Sequence, residues 1–127
     1  MALRNCGRVD PGSLDDYLAS CAGYSGLERA LKLGPEEVIA ELESAGLRGR
    51  GGAGYPTAQK WRACREAESG EKYAVCNALD ADPRARTARL LLGSDPHSAL
   101  EGLLIGAYTV GASRGFVCVN AEYTEEI

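Results

Sequence analysis

Gly46-Leu47-Arg48-Gly49-Arg50-Gly51-Gly52-Ala53-Gly54-Tyr55-Pro56-Thr57 is the stretch on which the reading of this sequence turns. Five glycines within nine positions strip a loop of side chains, at an entropic cost that makes sense when backbone must approach something closely. Successive N–H groups bared in this way suit an anion, and Arg48 and Arg50 add positive charge. Gly49-x-Gly51-x-x-Gly54 has the spacing of a dinucleotide fingerprint. That fingerprint needs a hydrophobic strand just before it, and here a helical pattern precedes it, so the ordinary reading fails on context. A tight multiple turn with no ligand is the plainer alternative. The paired arginines and the Tyr-Pro-Thr exit argue against an idle linker.

The preceding helix starts with Pro35 at its first position and Glu36 and Glu37 at its positive end. Val38, Ile39, Leu42 and Ala45 form its apolar stripe, and Gly46 closes it. Farther upstream, residues 1–12 read as an irregular arm. A short helix, Leu14 to Cys21, is capped by Ser13 or Asp10, and a second one containing Leu27, Leu31 and Leu33 stops at Gly34. Beyond the loop, Thr57 is placed to cap a helix through about Arg65. Lys60 lies six residues past Gly54, within reach of a ligand in the loop, although a solvated helix lysine looks the same. Trp61 reads as a core anchor.

Lys72-Tyr73-Ala74-Val75-Cys76 is rich in strand formers and ends at Asn77. Asn77, Asp80 and Asp82 then stand just past a strand's carboxyl end, where α/β sheets place ligands. Two aspartates without a third ligand do not make a metal site. Asp82-Pro83 reads as the start of an arginine-bearing helix through about Leu92. Asp95-Pro96 opens another, with Leu100, Leu103, Leu104, Ala107 and Tyr108 on one face. Its Gly102, Gly106 and Gly111 would admit a close neighbour, and His97 in its first turn reads as structural. Phe116 to Asn120 is a second strand. Strand, two helices, strand predicts a parallel crossover. Two strands are too few to complete an α/β sheet, so the unit is expected to be incomplete on its own.

The chain has 127 residues, 45% of them hydrophobic, which allows one domain with a real core. Eighteen acidic against 14 basic residues, a net charge of −4, give no support for a general nucleic-acid surface, while the arginine clusters at 48/50 and 84/86/89 leave a local anion site open. Five cysteines without a C-x-x-C spacing argue against a disulfide framework or a local zinc or iron–sulfur motif, and fit a reducing cytosol. The first residues lack the apolar run of a signal peptide, and Leu100 to Val110 is too short and too glycine-broken to span a bilayer.

Several motifs in a fixed order carry a resemblance. These are Asn5-Cys6-Gly7 with Asp10-Pro11, the loop 46–57 followed by Lys60-Trp61, and Lys72 to Ala78; then come Asp95-Pro96-His97 with Glu101, and Ala121-Glu122-Tyr123. Together they resemble the flavin-binding, 51-kilodalton-type subunit of NADH dehydrogenase. The Asn-Cys-Gly opening is most similar to the corresponding subunits of NAD-linked bifurcating hydrogenases and formate dehydrogenases. The resemblance implies an α/β fold: N-terminal helices (1–34), then the first part of a Rossmann-like flavin domain (35–127) with at least two parallel strands. It implies FMN and NAD(H) as cofactors, with no iron–sulfur cluster on this chain. NADH dehydrogenase-type chemistry would then belong to a complex rather than to this chain alone. Other redox subunits would be its partners, one supplying the rest of the flavin domain and the clusters, with no nucleic acid and no membrane insertion. A cytoplasmic place, or one peripheral to a membrane complex, follows.

By the same resemblance Gly49, Arg50, Gly51 and Gly52 would contact flavin, and Lys60 would approach its polar edge or phosphate. Tyr55 stands where the family has a phenylalanine near the nicotinamide nucleotide. Asn77, Asp80 and Asp82 fall in the segment that holds flavin and orients nicotinamide. Here that segment departs from the family: Leu79 replaces an aspartate, Asp80 a glutamate, Arg84 a glycine, Arg86 a phenylalanine and Ala88 an aspartate. The family's sequences also continue past the point matched by Glu122-Tyr123. A non-catalytic subunit derived from this domain, or a fragment of a complete flavoenzyme subunit, are the alternatives.

Overall fold

A computed structural model describes residues 5–19, 23–68, 70–82 and 84–123. The elements run α1 (Leu14–Ala19), α2 (Ser25–Leu33), α3 (Pro35–Ser44), α4 (Thr57–Glu66), β1 (Tyr73–Ala78), α5 (Thr87–Ser94), α6 (Pro96–Val110) and β2 (Arg114–Val119). Ser13 caps α1, its Oγ accepting from the Asp16 amide at 3.1 Å, while Asp10 Oδ1 accepts from Gly12 in its own turn. The described part of α1 ends at Ala19; the expected extension to Cys21 lies outside the described residues. α3 begins at Pro35 and buries Val38 and Ile39 as the stripe requires. Gly46, at φ +62°, turns the chain out of it, and the Leu47 amide reaches back to the Leu42 carbonyl.

Two helix starts differ from the sequence expectation. Pro56, not Thr57, is the cap residue of α4, and no side chain caps it. The reason is the loop, whose closure starts the helical turn one residue early. The Thr57 amide donates to the Leu47 carbonyl at 2.9 Å, and Arg48 and Pro56 form an antiparallel bridge. α5 starts at Thr87, five residues after Asp82. Asp80 turns the chain at φ +45°, and its carboxylate accepts from the Ala88 and Arg89 amides. The amino end of α5 is thus held from a distance, and Asp82 closes only its own turn, by accepting from the Arg84 amide at 2.9 Å.

β1 and β2 pair in parallel, from Tyr73↔Arg114 to Ala78↔Val119, joined by the two-helix crossover α5–α6. Both strands lie slightly off the expected bounds, β1 later by one to two residues and β2 earlier. α6 packs on the sheet and on α2, α3 and α4. Of the three glycines expected to admit a neighbour, only Gly106 does so: a Cβ there would lie 3.2 Å from Trp61 Cζ2, so the indole occupies that space. Gly111 serves instead as the left-handed C-cap of α6. Tyr73, Val75 and Phe116 are exposed on the strands, Val75 at 58%, with the Tyr73 and Phe116 rings 6.0 Å apart. Parallel sheets are normally covered on both faces.

The N-terminal arm is fastened to α6 through buried polar groups. Tyr17, fully buried, donates its hydroxyl to Glu101 Oε2 at 2.8 Å, and the Leu27 amide donates to Glu101 Oε1 at 3.0 Å. Gly26 permits this approach, since a Cβ there would stand 2.9 Å from Glu101 Oε1. Asp95 caps α6 through the Ser98 amide and accepts from Ser98 Oγ (2.6 Å) and Asn5 Nδ2 (2.8 Å). His97 stacks on Tyr17 with centroids 5.0 Å apart, and its Nδ1 lies 3.2 Å from the Tyr24 hydroxyl, which is the structural role expected of it. Burial pushes the Tyr17 phenol up; a Ser98 hydrogen bond opposes that and Glu101 adds to it, so at neutral pH the hydroxyl stays a donor.

Candidate functional site

The glycine loop is closed at its base and open at its tip. At the base, the Gly49 amide donates to the Tyr55 carbonyl at 2.9 Å, above the Thr57–Leu47 bond. Arg48 is used internally: its Nη1 donates to the Gly54 carbonyl at 2.6 Å and ties the two arms together. At the tip, the amides of Arg50, Gly51, Gly52 and Ala53 have no acceptor among the described residues. Gly52 needs its freedom, at φ +104°. Gly51 does not: its φ is not left-handed, and a Cβ there would meet nothing within 4 Å. Neither backbone strain nor packing among the described residues accounts for a glycine at 51.

Tyr55 and Lys60 come together beside this loop. Tyr55 is half exposed, and Lys60 Nζ sits 5.8 Å from its ring centroid, a cation–π distance. Asn77 lies near the carboxyl end of β1, and its Oδ1 accepts from the Leu79 amide at 3.2 Å. Its side-chain NH₂ has no acceptor among the described residues.

Asp80 and Asp82 line a different space from Lys60. Their cleft, of about 330 Å³, also has Arg86, Arg89, Asn120 and Tyr123 in its walls. Asp80 is occupied by the fold itself: Oδ1 accepts from Ala88 (3.0 Å), and Oδ2 from Arg89 (3.1 Å) and the Tyr123 hydroxyl (3.0 Å). The Ala88 amide, opposed by desolvation and reinforced by Arg89 and Tyr123, holds its carboxyl below the ordinary aspartate range. The Arg89 guanidinium lies 5.5 Å from the Tyr123 ring centroid. No local pattern singled out Arg89 or Tyr123 as Asp80's partners, because the residues lie 9 and 43 positions away. Among the described residues, no group of three or more His, Cys, Asp or Glu side chains is placed to hold a metal.

A depressed aspartate contributes stability above its unfolded pKa and loses it as pH falls through the lower folded value. The junction of α5 with Tyr123 is therefore expected to loosen only in acid below the ordinary aspartate range. Asp80→Asn should loosen it already at neutral pH and flatten that dependence. Amide chemical shifts of Ala88 and Arg89, followed from pH 7 downward, check this; an unchanged titration in the variant would contradict it.

Residues 42–127, which hold the loop, both strands and the Asp80 junction, match the model of the Nuo51 FMN-binding domain. The chain belongs to that family. Over 123 residues, 97% of this chain, it is 48% identical to the NADP-reducing hydrogenase subunit HndC of Solidesulfovibrio fructosivorans. Over 117 residues, 91% of this chain, it is 41% identical to an NADH-quinone oxidoreductase subunit of Escherichia coli K12. It spans 25% and 26% of those two chains. Among solved structures, an NAD+-reducing [NiFe]-hydrogenase in its H2-reduced state superposes with a TM-score of 0.75 at 34% identity, covering 91% of this chain and 20% of the other. The α/β fold read from the sequence is thus that of a partial Nuo51 FMN-binding domain. In it the unexplained glycine, the four bare amides and the Lys60–Tyr55 pair lie on one loop and the helix that follows. The domain's Asp80 belongs to a separate cleft, whose walls do not include Asn77.

Proposed function

We propose that this chain supplies the FMN-binding loop of a flavin-dependent redox complex that oxidises NADH or reduces NAD. The observation that carries the reading is the loop tip: among the described residues, four neighbouring amides have no acceptor and the missing Cβ of Gly51 meets nothing. An anionic or electron-rich ligand edge against Gly49, Arg50, Gly51 and Gly52 would use both. Arg50 adds charge there, Lys60 meets the ligand's polar edge or phosphate, and Tyr55 offers its ring face towards a nicotinamide nucleotide. Asn77 has its NH₂ to donate. Asp80 acts by holding α5 and Tyr123 in place, and Asp82 borders the same cleft. When bound, FMN supplies hydride acceptance from NADH and release of electrons one at a time.

The partners we propose are other redox subunits, as the relatives' names describe for those proteins, one of them supplying the rest of the flavin domain and the iron–sulfur clusters. A two-stranded parallel sheet with Val75 and Phe116 exposed supports this, because such a sheet requires cover. No helix among the described residues is long and apolar enough to cross a membrane, and we place the complex in the cytoplasm or peripheral to a membrane.

Gly51→Ala tests the reading cleanly, because the space beside it is open and its φ is ordinary. Thermal stability should stay unchanged, while flavin affinity, read by fluorescence quenching in the assembled complex, should fall by at least about tenfold as the methyl group displaces the ligand from the amides. Equal flavin affinity would move the assignment to the second reading, a structural subunit derived from this domain. That reading is favoured by one observation: the Asp80 carboxylate is already filled by bonds within the chain.

A further inference from the structure

Lys60, Arg62 and Arg65 are the cations of α4, and the two arginines are spent on α3: Arg62 pairs with Glu43 at 3.1 Å and Arg65 with Glu36 at 2.8 Å. Lys60 is exposed and has no carboxylate within ion-pair distance among the described residues. Its ammonium lies over the Tyr55 ring instead, 5.8 Å from the centroid. Tyr55 is the last residue of the loop before Pro56, and the backbone there is pinned twice. Its carbonyl accepts from the Gly49 amide, and Pro56 bridges to Arg48. A ring fixed at the exit of the loop therefore keeps a cation at the loop.

We propose that Tyr55 is a positioning residue whose ring holds the Lys60 ammonium beside the glycine loop, set for the phosphate end of the flavin. The inference rests on the flavin-loop reading above and deepens it, committing Lys60 to the phosphate and giving Tyr55 a task before any nucleotide arrives. A free lysine is a point charge on a flexible four-carbon stem, and ordering that stem on ligand binding weakens the binding. The ring orders it beforehand. It also attracts the cation without neutralising it, whereas a glutamate partner such as Arg62 and Arg65 have would need to be displaced by the phosphate. The attraction comes from the face of the ring, so the Tyr55 hydroxyl has no part in it and phenylalanine serves as well.

The test compares FMN with riboflavin, which lacks only the phosphate, by fluorescence quenching in the assembled complex. Any contact of residue 55 with the flavin ring affects both ligands alike and cancels in the ratio of their affinities. Tyr55→Leu should lower the FMN-to-riboflavin ratio by about two- to fivefold, the size of an exposed cation–π contact, and Tyr55→Phe should keep it. Lys60→Gln should lower the ratio at least as far, and adding Tyr55→Leu to it should lower it no further. In the ligand-free full chain, ring current should hold the Lys60 ε-methylene protons upfield, a shift that Tyr55→Leu removes and Tyr55→Phe preserves. An unchanged ratio in Tyr55→Leu, an equal fall in Tyr55→Phe, or no upfield shift in the unaltered chain would overturn the positioning role and leave the flavin-loop reading standing. Failure of both flavins to bind the unaltered complex would overturn that reading and the inference with it. The proton shift of the unaltered chain stands without any variant, should Tyr55→Leu fail to fold.

Discussion

Glu101→Ala is expected to cost the fold about 3–5 kcal/mol. Glu101 is only 8% exposed, and each of its oxygens accepts one bond from the N-terminal arm: the Tyr17 hydroxyl at 2.8 Å and the Leu27 amide at 3.0 Å. Alanine leaves both donors facing a gap from which water is largely excluded. Hydrogen bonds to a charged acceptor contribute about 1.5–3 kcal/mol each, and an orphaned buried donor carries its full desolvation cost. Gly26 shows that the two chain segments come together for this contact, because any side chain there would collide with the carboxylate. Glu101→Gln keeps the shape and one acceptor, so its loss should be smaller. Urea unfolding gives the magnitude, and hydrogen exchange at the Leu27 amide locates it: exchange there should accelerate far more than at the Val75 amide in the sheet. Uniform acceleration would mean that Glu101 stabilises the domain generally and does not act as the clasp of the arm.

That clasp also marks what could and could not be read before the structure was known. The glycine loop was legible because its signal is local: glycines, flanking arginines and an apolar stripe that ends at Ala45. The parallel pairing was legible because two helices between two strands leave few other topologies. Asp95 and Pro96 announced α6 by cap chemistry that reaches only three residues ahead, to Ser98. The start of α5 was illegible for the opposite reason. Its cap comes from Asp80, eight residues before Ala88, while nearby Asp82 offers a more obvious candidate. The same distance hid the division of the expected site. Lys60 and Tyr55 meet because only five positions separate them across the turn at Pro56 into α4. Asp80 was grouped with them by position after the strand, yet the structure gives its oxygens to Arg89 and Tyr123. Tyr17 and Glu101, 84 residues apart, stood in the sequence as an ordinary helix tyrosine and a helix glutamate.

Leu79→Asp is expected to tighten flavin binding by about ten- to a hundredfold in the assembled complex. The resemblance read from the sequence implies an aspartate at this position, and here it is a leucine, 42% exposed, immediately past β1. Its amide is already bonded to Asn77 Oδ1, so the backbone there is fixed and the substitution changes the side chain alone. A half-exposed leucine outside the core contributes little to folding, so the stability of the chain should move by no more than about 0.5 kcal/mol. For a ligand donor facing position 79, leucine offers no acceptor, and an unpaired buried donor costs roughly 1–3 kcal/mol. Restoring the carboxylate removes that cost, which is the source of the expected gain. Asn77→Ala should weaken binding in both backgrounds, and because Asn77 Oδ1 also holds the Leu79 amide the two substitutions should couple, which the double-mutant cycle reads directly. Calorimetric titration with FMN measures all four combinations. Equal affinities for leucine and aspartate at 79, alongside a normal loss at Gly51→Ala, would place the ligand on the loop and away from the end of β1. No binding in any of the four would leave the glycine loop as a shape kept for assembly, with Asp80 as part of the scaffold that holds it.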